Sequence, residues 1–462
     1  MNKFAWMLAA LLLAGCAAGP DYVRPESELP ERWTEAETRV ADVDAWWHAF
    51  GDARLVALVE QALAHNHELR AAAANIEAAA ARLNLARMDY VPTVNGAIES
   101  QRGELDGSGV HGEYRAGFAI SYEIDLWGRI GRANEAALAE MEADVAVRDG
   151  VRAAVAAAVA NAYFETRALE RRIALATRLL ETREANLELQ RERLAAGLIP
   201  RYDYEQARSE TAAVAAELAQ LRNAHSQALT ALAVLRGASP REMHAEWQAR
   251  REISDAALPA APEVPMGLPS ELLERRPDVR AAEHRLVAAN ARIGEAKASL
   301  FPRLSLTAFA GSVSASLAGL FEDDAWQAAT RADVPLTDLG RGSASVRAAR
   351  ARHAAAQAQY MKAIQAAFRE TFDALSSLEA SREVMRAQRE RVAALQAAYE
   401  SAEARYLAGR IGYLELLDVE RQLRGVEQQQ VDAELELLRA TVNLYRALGG
   451  GWGIAGEALA GR

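Results

Sequence analysis

Hydrophobic and polar residues follow two different rhythms along this chain. Tyr114, Ala116, Phe118, Ile120, Tyr122 and Ile124 alternate with Arg115, Gly117, Ala119, Ser121, Glu123 and Asp125. A period of two predicts a β-strand with one apolar face and one polar or small face. Three more stretches share this rhythm. Residues 93–102 set Val94 and Ile98 against Asn95 and Glu99. Residues 303–313 carry Leu304, Leu306, Ala308 and Ala310 on one face, and residues 326–336 carry Trp326, Ala328, Thr330, Ala332 and Val334. Strands are therefore expected at about 93–102, 113–125, 303–313 and 326–336. The second is long enough to cross a membrane at a tilt, although a soluble hairpin lying on a core has the same pattern.

Elsewhere the rhythm lengthens to three and four. Residues 132–196 contain no Pro and only Gly150, with apolar positions at Leu138, Met141, Val145, Val151, Val155, Ala158, Ala162, Leu169, Ile173, Ala176 and Leu180. This predicts a coiled-coil-like helix roughly 100 Å long. Residues 343–408 repeat the pattern, with Ile364, Phe368, Phe372 and Leu375 on the seam. Each long helix runs into a turn signal, Arg193 to Gly197 and Pro200 in the first, Arg405 to Gly409 and Gly412 in the second. Gly ends one helix and Pro or Gly lets the next begin, at 202–235 and 413–448. Shorter helices are expected from 52 to about 90, broken at His65-Asn66-His67 with Asn66 as a cap, and over 278–300.

The halves are copies. Residues 68–91 align with 278–301 at an offset of 210 (Pro92 to Pro302), and from Gly128 onward the offset is 212 (Gly128 to Gly340, Gly197 to Gly409). The expected organisation begins with a signal peptide over 1–15 and an extended Pro- and Trp-rich arm over 16–51. A first repeat follows over 52–237, a Pro-rich linker over 238–277, a second repeat over 278–449 and a tail over 450–462. Each repeat reads helix, two strands, long helix, tip, helix.

Composition narrows the function. The 462 residues carry a net charge of −11, and aromatics are only 6 %. An acidic surface argues against nucleic acid as a partner. The single cysteine, Cys16, excludes an intrachain disulfide. It follows Lys3, an apolar run over 4–13 and the small residues Ala14-Gly15, which is a signal-peptide layout too short for a transmembrane helix. The Leu-Ala-Gly-Cys ending resembles a bacterial lipoprotein signal, in which the cysteine becomes the lipidated first residue. No catalytic constellation, cofactor motif or metal-ligand set emerges. His65 and His67, two apart, would point to different helix faces.

Four alternating strands cannot close a membrane barrel alone, and open edges are not tolerated in lipid. Long helices with no globular core pose the same problem. Ring closure by identical copies solves both, giving a shared barrel that continues into a tube of helices, with the polar strand face lining a pore. The fold class expected is an α+β membrane protein with internal duplication.

Five stretches carry a resemblance: Gly19-Pro20-Asp21-Tyr22 with Arg24-Pro25; Tyr122-Glu123-Ile124-Asp125-Leu126-Trp127-Gly128-Arg129; Leu272-Leu273-Glu274-Arg275-Arg276-Pro277-Asp278; Ala408-Gly409 onward to Gln422; and Asn443-Leu444-Tyr445-Arg446-Ala447-Leu448-Gly449. Together they resemble the outer-membrane factor family, the TolC-like channels of Gram-negative tripartite exporters, in its lipoprotein branch. The resemblance implies a homotrimer with a twelve-stranded β-barrel, four strands from each protomer, a mixed equatorial region and a periplasmic helical tunnel. It implies a conduit for drugs, metals or other small molecules, a periplasmic adaptor as partner, and an inner-membrane pump of RND type. It also places a periplasmic gate at Leu414 and Asp418, an apolar and an acidic ring one helical turn apart. Arg193 and Arg405 become tip ion-pair candidates, and Gly197, Pro200, Gly409 and Gly412 the adaptor-docking tips, all three glycines being required by the turns. Trp127 and Trp326 become candidate membrane-interface aromatics. A protein-secretion duct of the same family, and a coiled-coil lipoprotein stalk without a pore, remain the alternatives.

Overall fold

The alternating stretches pair into one antiparallel sheet. In the computed structural model, which describes residues 18–26, 28, 30, 45–104, 110–249, 257–264, 272–334 and 339–450, the strands are β1 (Thr93–Glu104), β2 (Val110–Ile124), β3 (Arg303–Ser314) and β4 (Asp324–Asp333). The helices are α1 (Ala53–His65), α2 (His67–Met88), α3 (Arg129–Ala195), α4 (Arg201–Leu235), α5 (Pro240–Gln248), α6 (Leu272–Arg275), α7 (Pro277–Ala298), α8 (Leu339–Leu407) and α9 (Tyr413–Ala447). The signal segment 1–15, Cys16 and the tail from 451 lie outside the described residues.

Several boundaries differ from the sequence expectation, among them the start of β2, at Val110 and not 113, and two have visible reasons. Strand β4 stops at Asp333, not at 336. Its partner β3 begins at Arg303 opposite Asp333, and Pro302 just before it has no N–H to extend the ladder. Helix α3 starts at Arg129, three residues early, because the Asp125 carboxylate accepts from the Ile130 and Gly131 amides at 3.0 and 2.7 Å. A carboxylate at that place satisfies otherwise orphaned N–H groups. Helix α8 starts at Leu339 and not at 343, so Leu339-Gly340-Arg341 forms its first turn.

The chain divides into two compact units. One comprises the arm up to Glu28 with Ala73–Val147 and Asp278–Ile364. Its sheet runs in the order β1-β2-β3-β4, so the two repeats meet at the β2–β3 ladder and β1 and β4 are edges. The register brings Val94, Ile98, Phe118, Ile120, Tyr122, Leu304, Leu306 and Trp326 to one face. The other face carries Asn95, Glu99, Arg115, Ser121, Glu123, Ser305, Thr307, Gln327 and Arg331. The arm crosses the helices of this unit in extended form. Pro20 O accepts from Asn290, Asp21 meets Arg132 at 2.8 Å, and Arg24 grips Glu283 with two bonds of 2.6 Å. A forked guanidinium–carboxylate contact fixes direction as well as distance.

The second unit comprises Leu29–Ala72, Arg148–Pro277 and Gln365–Arg462. Its core is built on the short 3-10 turn Trp46–Phe50. Trp46 stacks on Tyr445 with centroids 5.5 Å apart, and Phe50 meets Phe164 at 5.1 Å. Leu55 and Val59 of α1, Val155 and Val159 of α3, and Leu438 and Val442 of α9 close around them. The part of the arm read as extended thus ends in a buried aromatic plug. Asp52 ties the plug down. Its carboxylate caps α1 through the Arg54 and Leu55 amides and accepts from Tyr163 at 2.7 Å. Asn66 caps α2 as expected, accepting from the Glu68 amide at 2.8 Å, while its own amide donates to Leu235 O.

Candidate gate and hairpin tips

Both helical hairpins turn by the same device. At the first tip the Leu198 amide donates to Arg193 O at 2.9 Å and the Gly197 amide to Leu194 O at 3.0 Å. At the second, Arg410 donates to Arg405 O and Gly409 to Tyr406 O, both at 2.9 Å. This is the Schellman closure, whose penultimate residue must be left-handed. Gly197 and Gly409 supply it, with φ of 72° and 69°. Gly412 does not. At φ −78° it is an ordinary extended N-cap to α9, as Pro200 at φ −71° is to α4. The expectation that the turn requires Gly412 is therefore corrected.

Arg193 and Arg405 match because their carbonyls close the two turns. Their side chains go separate ways. The Arg193 guanidinium donates to the Tyr406 hydroxyl at 3.1 Å, a hydrogen bond between the two hairpins rather than an ion pair. Arg405 is exposed. The charged ties lie further along the hairpins. Arg183 of α3 reaches Glu420 of α9 at 3.1 Å, with their side chains 5 % and 8 % exposed. Arg421 binds Glu210 of α4, Arg172 binds Asp432, and Arg439 binds Glu165. Asn186 donates to the Tyr413 hydroxyl at 2.6 Å. Burial holds the Tyr413 phenol above its usual range. Sequence reasoning missed this stitching. One signal was present: Glu420 lies on the apolar stripe of Leu416, Leu417 and Leu423, and a carboxylate on such a stripe needs a buried partner.

The side of α9 away from the buried Glu420 is exposed, and Arg421 shares it. Leu414 is 49 % exposed, and Asp418 one turn on is also exposed, bonded along its own helix to Gln422 at 2.8 Å and in the field of the Arg421 guanidinium. The two gate candidates thus share an exposed face, directly after a tip, on a helix whose other face is held through Glu420 by Arg183.

The tryptophans occupy opposite ends of the sheet. Trp127, just beyond β2, donates to Pro302 O at 2.9 Å and stacks on Phe301 at 4.6 Å. Trp326, near the start of β4, is 82 % exposed on the apolar face. Phe118, Ile98 and Val94 on that face are also more than half exposed. An apolar sheet face with no covering layer and two unpaired edges fits a lipid-facing barrel segment. Among the described residues no helix is long and apolar enough to span a membrane, and no group of three or more His, Cys, Asp or Glu is placed to hold a metal.

A four-strand, lipid-facing sheet joined to paired helical hairpins defines an α+β outer-membrane channel. Comparison with known proteins places it. The family model for outer membrane efflux proteins matches residues 58–238 and 268–450, so the chain belongs to the outer membrane efflux protein family. It is 35 % identical to the probable efflux pump outer membrane protein TtgC of Pseudomonas putida, over 98 % of this chain and 96 % of that one. It is equally identical to outer membrane protein OprJ of Pseudomonas aeruginosa, over 96 % and 95 %. Among solved structures it superposes on the outer-membrane channel OprN with a TM-score of 0.86 at 33 % identity, covering 95 % of this chain and all of that one. The open-state MtrE channel of Neisseria gonorrhoeae matches with a TM-score of 0.82 at 32 % identity, covering 95 % and 99 %.

Proposed function

We propose that this outer-membrane efflux channel is the passive exit duct of a tripartite pump for small molecules, gated at Leu414 and Asp418. Three copies pair their free β1 and β4 edges into one barrel, as open edges in lipid demand. The polar face of the sheet lines the pore. The tips at Gly197–Pro200 and Gly409–Gly412 receive a periplasmic adaptor, and an inner-membrane pump of RND type supplies the energy. The chain performs no chemistry of its own. Cys16 is lipidated and adds an anchor beside the barrel, and Trp127 and Trp326 mark the two membrane interfaces.

The observation that carries the gate is the asymmetry of α9. Glu420 is buried against Arg183 on one face, while Leu414 and Asp418 are exposed on the far side, which they share with Arg421. Three symmetry-related carboxylates at a constriction attract cations and resist anions. Planar-bilayer recording tests this. The wild type is expected to show a small, cation-selective conductance, and Asp418→Ala a larger or less selective one. A conducting wild type with an indistinguishable mutant would remove Asp418 from the gate. Mass spectrometry of the mature N-terminus tests the anchor, with acyl chains expected on Cys16 and none after Cys16→Ser.

A further inference from the structure

In the sheet unit, α2, α3, α7 and α8 lead into or out of β1, β2, β3 and β4 respectively, so they lie side by side in strand order. A cavity of about 410 Å³ is lined by all four, with Arg82 from α2, Glu140 and Asp144 from α3, Arg285 and Arg292 from α7, and Arg352 from α8. A single layer of helices can surround one cavity only on its concave side. The arm marks the other side. On α7 it follows Glu283, Asn290 and Gly294, whereas the cavity takes Arg285, Ala289 and Arg292. At 100° per residue these two stripes are opposed. The arm therefore lies outside and the arginines face the lumen.

The charges in the cavity do not balance, with four guanidiniums against two carboxylates. Arg292 is paired with Glu140. Arg82, Arg285 and Arg352 have no ion-pair or hydrogen-bond partner among the described residues. Five alanines, Ala79, Ala137, Ala143, Ala289 and Ala356, complete the wall. The volume is in the range of small-ligand sites. Guanidinium forks suit carboxylate, phosphate or sulfonate oxygens, and short methyl walls accept a flat apolar body beside them.

We infer that this cavity is an anion-binding station in the tunnel wall, one per protomer, for amphiphilic anions that combine an apolar body with a carboxylate, phosphate or sulfonate. It is opposite in sign to the acidic Asp418 face and draws on separate residues. A channel carrying both handles cationic and anionic cargo at different places along its path.

The test is isothermal titration of the full-length protein in lipid nanodiscs with 1,5-naphthalenedisulfonate, a water-soluble aromatic dianion. Saturable binding at one site per chain is expected, weakening as salt rises. Arg285→Gln with Arg352→Gln should weaken it at least tenfold, Asp418→Ala should leave it unchanged, and the dication methyl viologen should not bind there. If the double variant fails to assemble, Arg285→Gln and Arg82→Gln singly should each weaken binding several-fold. No saturable binding to the wild type, or equal affinity in assembled arginine variants, overturns the station. Either result leaves the gate untouched, since that rests on conductance and on Asp418.

Discussion

Glu420→Ala probes what holds α9 in place. The Glu420 carboxylate is the acid facing the Arg183 guanidinium, and both side chains are more than nine-tenths buried at a contact of 3.1 Å. Removing one partner of a buried pair leaves the other charge unsolvated and costs about 3–5 kcal/mol. If opening swings α9 away from α3, water reaches Arg183 and the open state escapes that cost. The closed state alone then bears it, and 3 kcal/mol at about 1.4 kcal/mol per decade moves the open-to-closed ratio by roughly two orders of magnitude. Single-channel recording should show a matching rise in open probability, together with a lower melting temperature for the assembled protein. Replacing both residues by apolar ones of similar size, Arg183→Met with Glu420→Leu, should recover most of the loss, because a packed apolar pair replaces a buried ionic one at little net cost. Unchanged melting and unchanged open probability in Glu420→Ala would refute the reasoning. Lower melting without altered gating would show that the two hairpins move as one body.

Further predictions concern turns, core and pH. Gly409→Ala should cost about 1–2 kcal/mol, since φ is 69°, while Gly412→Ala at φ −78° should be neutral; paired thermal melts check both. Trp46→Ala should remove about 3–5 kcal/mol by emptying the space over Tyr445 and Trp47, seen as a large fall in melting temperature. Burial first, then the bond to Asp52, raises the Tyr163 phenol pKa above its ordinary value of 10.0. A raised folded-state pKa gives stability that is complete below the unfolded value and lost as pH rises toward the folded one. Melting should therefore hold steady up to about pH 10 and decline above it, and Tyr163→Phe should flatten the decline.

The two rhythms in the sequence were enough to locate four strands and four long helices, because each rhythm is a local property of one element. Duplication tied the halves together, as Gly197 and Gly409 show by closing their turns with identical bonds. Strand and helix ends were less legible. The end of β4 depends on Pro302 across the ladder, and the start of α3 on Asp125 four residues upstream. Arg193 and Arg405 were correctly singled out as equivalent, yet their shared role belongs to the backbone, and only Arg193 uses its side chain to join the hairpins. The ties through Arg183, Glu420, Arg421 and Glu210 depend on the register between helices more than 200 residues apart, which no local pattern encodes. The cavity arginines were invisible for the same reason: three helices from both repeats supply them.

The central claim is that the sheet is a wall between lipid and water, with side chains alternating between the two. Single-cysteine scanning of β2 tests it directly, in a chain whose only native cysteine is Cys16. A membrane-impermeant, charged maleimide should label cysteines at Ala119 and Ser121 through the pore and leave those at Phe118, Ile120 and Tyr122 shielded by lipid. A period-two profile in assembled protein within native membranes supports the channel. Equal labelling on both faces would contradict it and point to a stalk whose sheet never enters the bilayer.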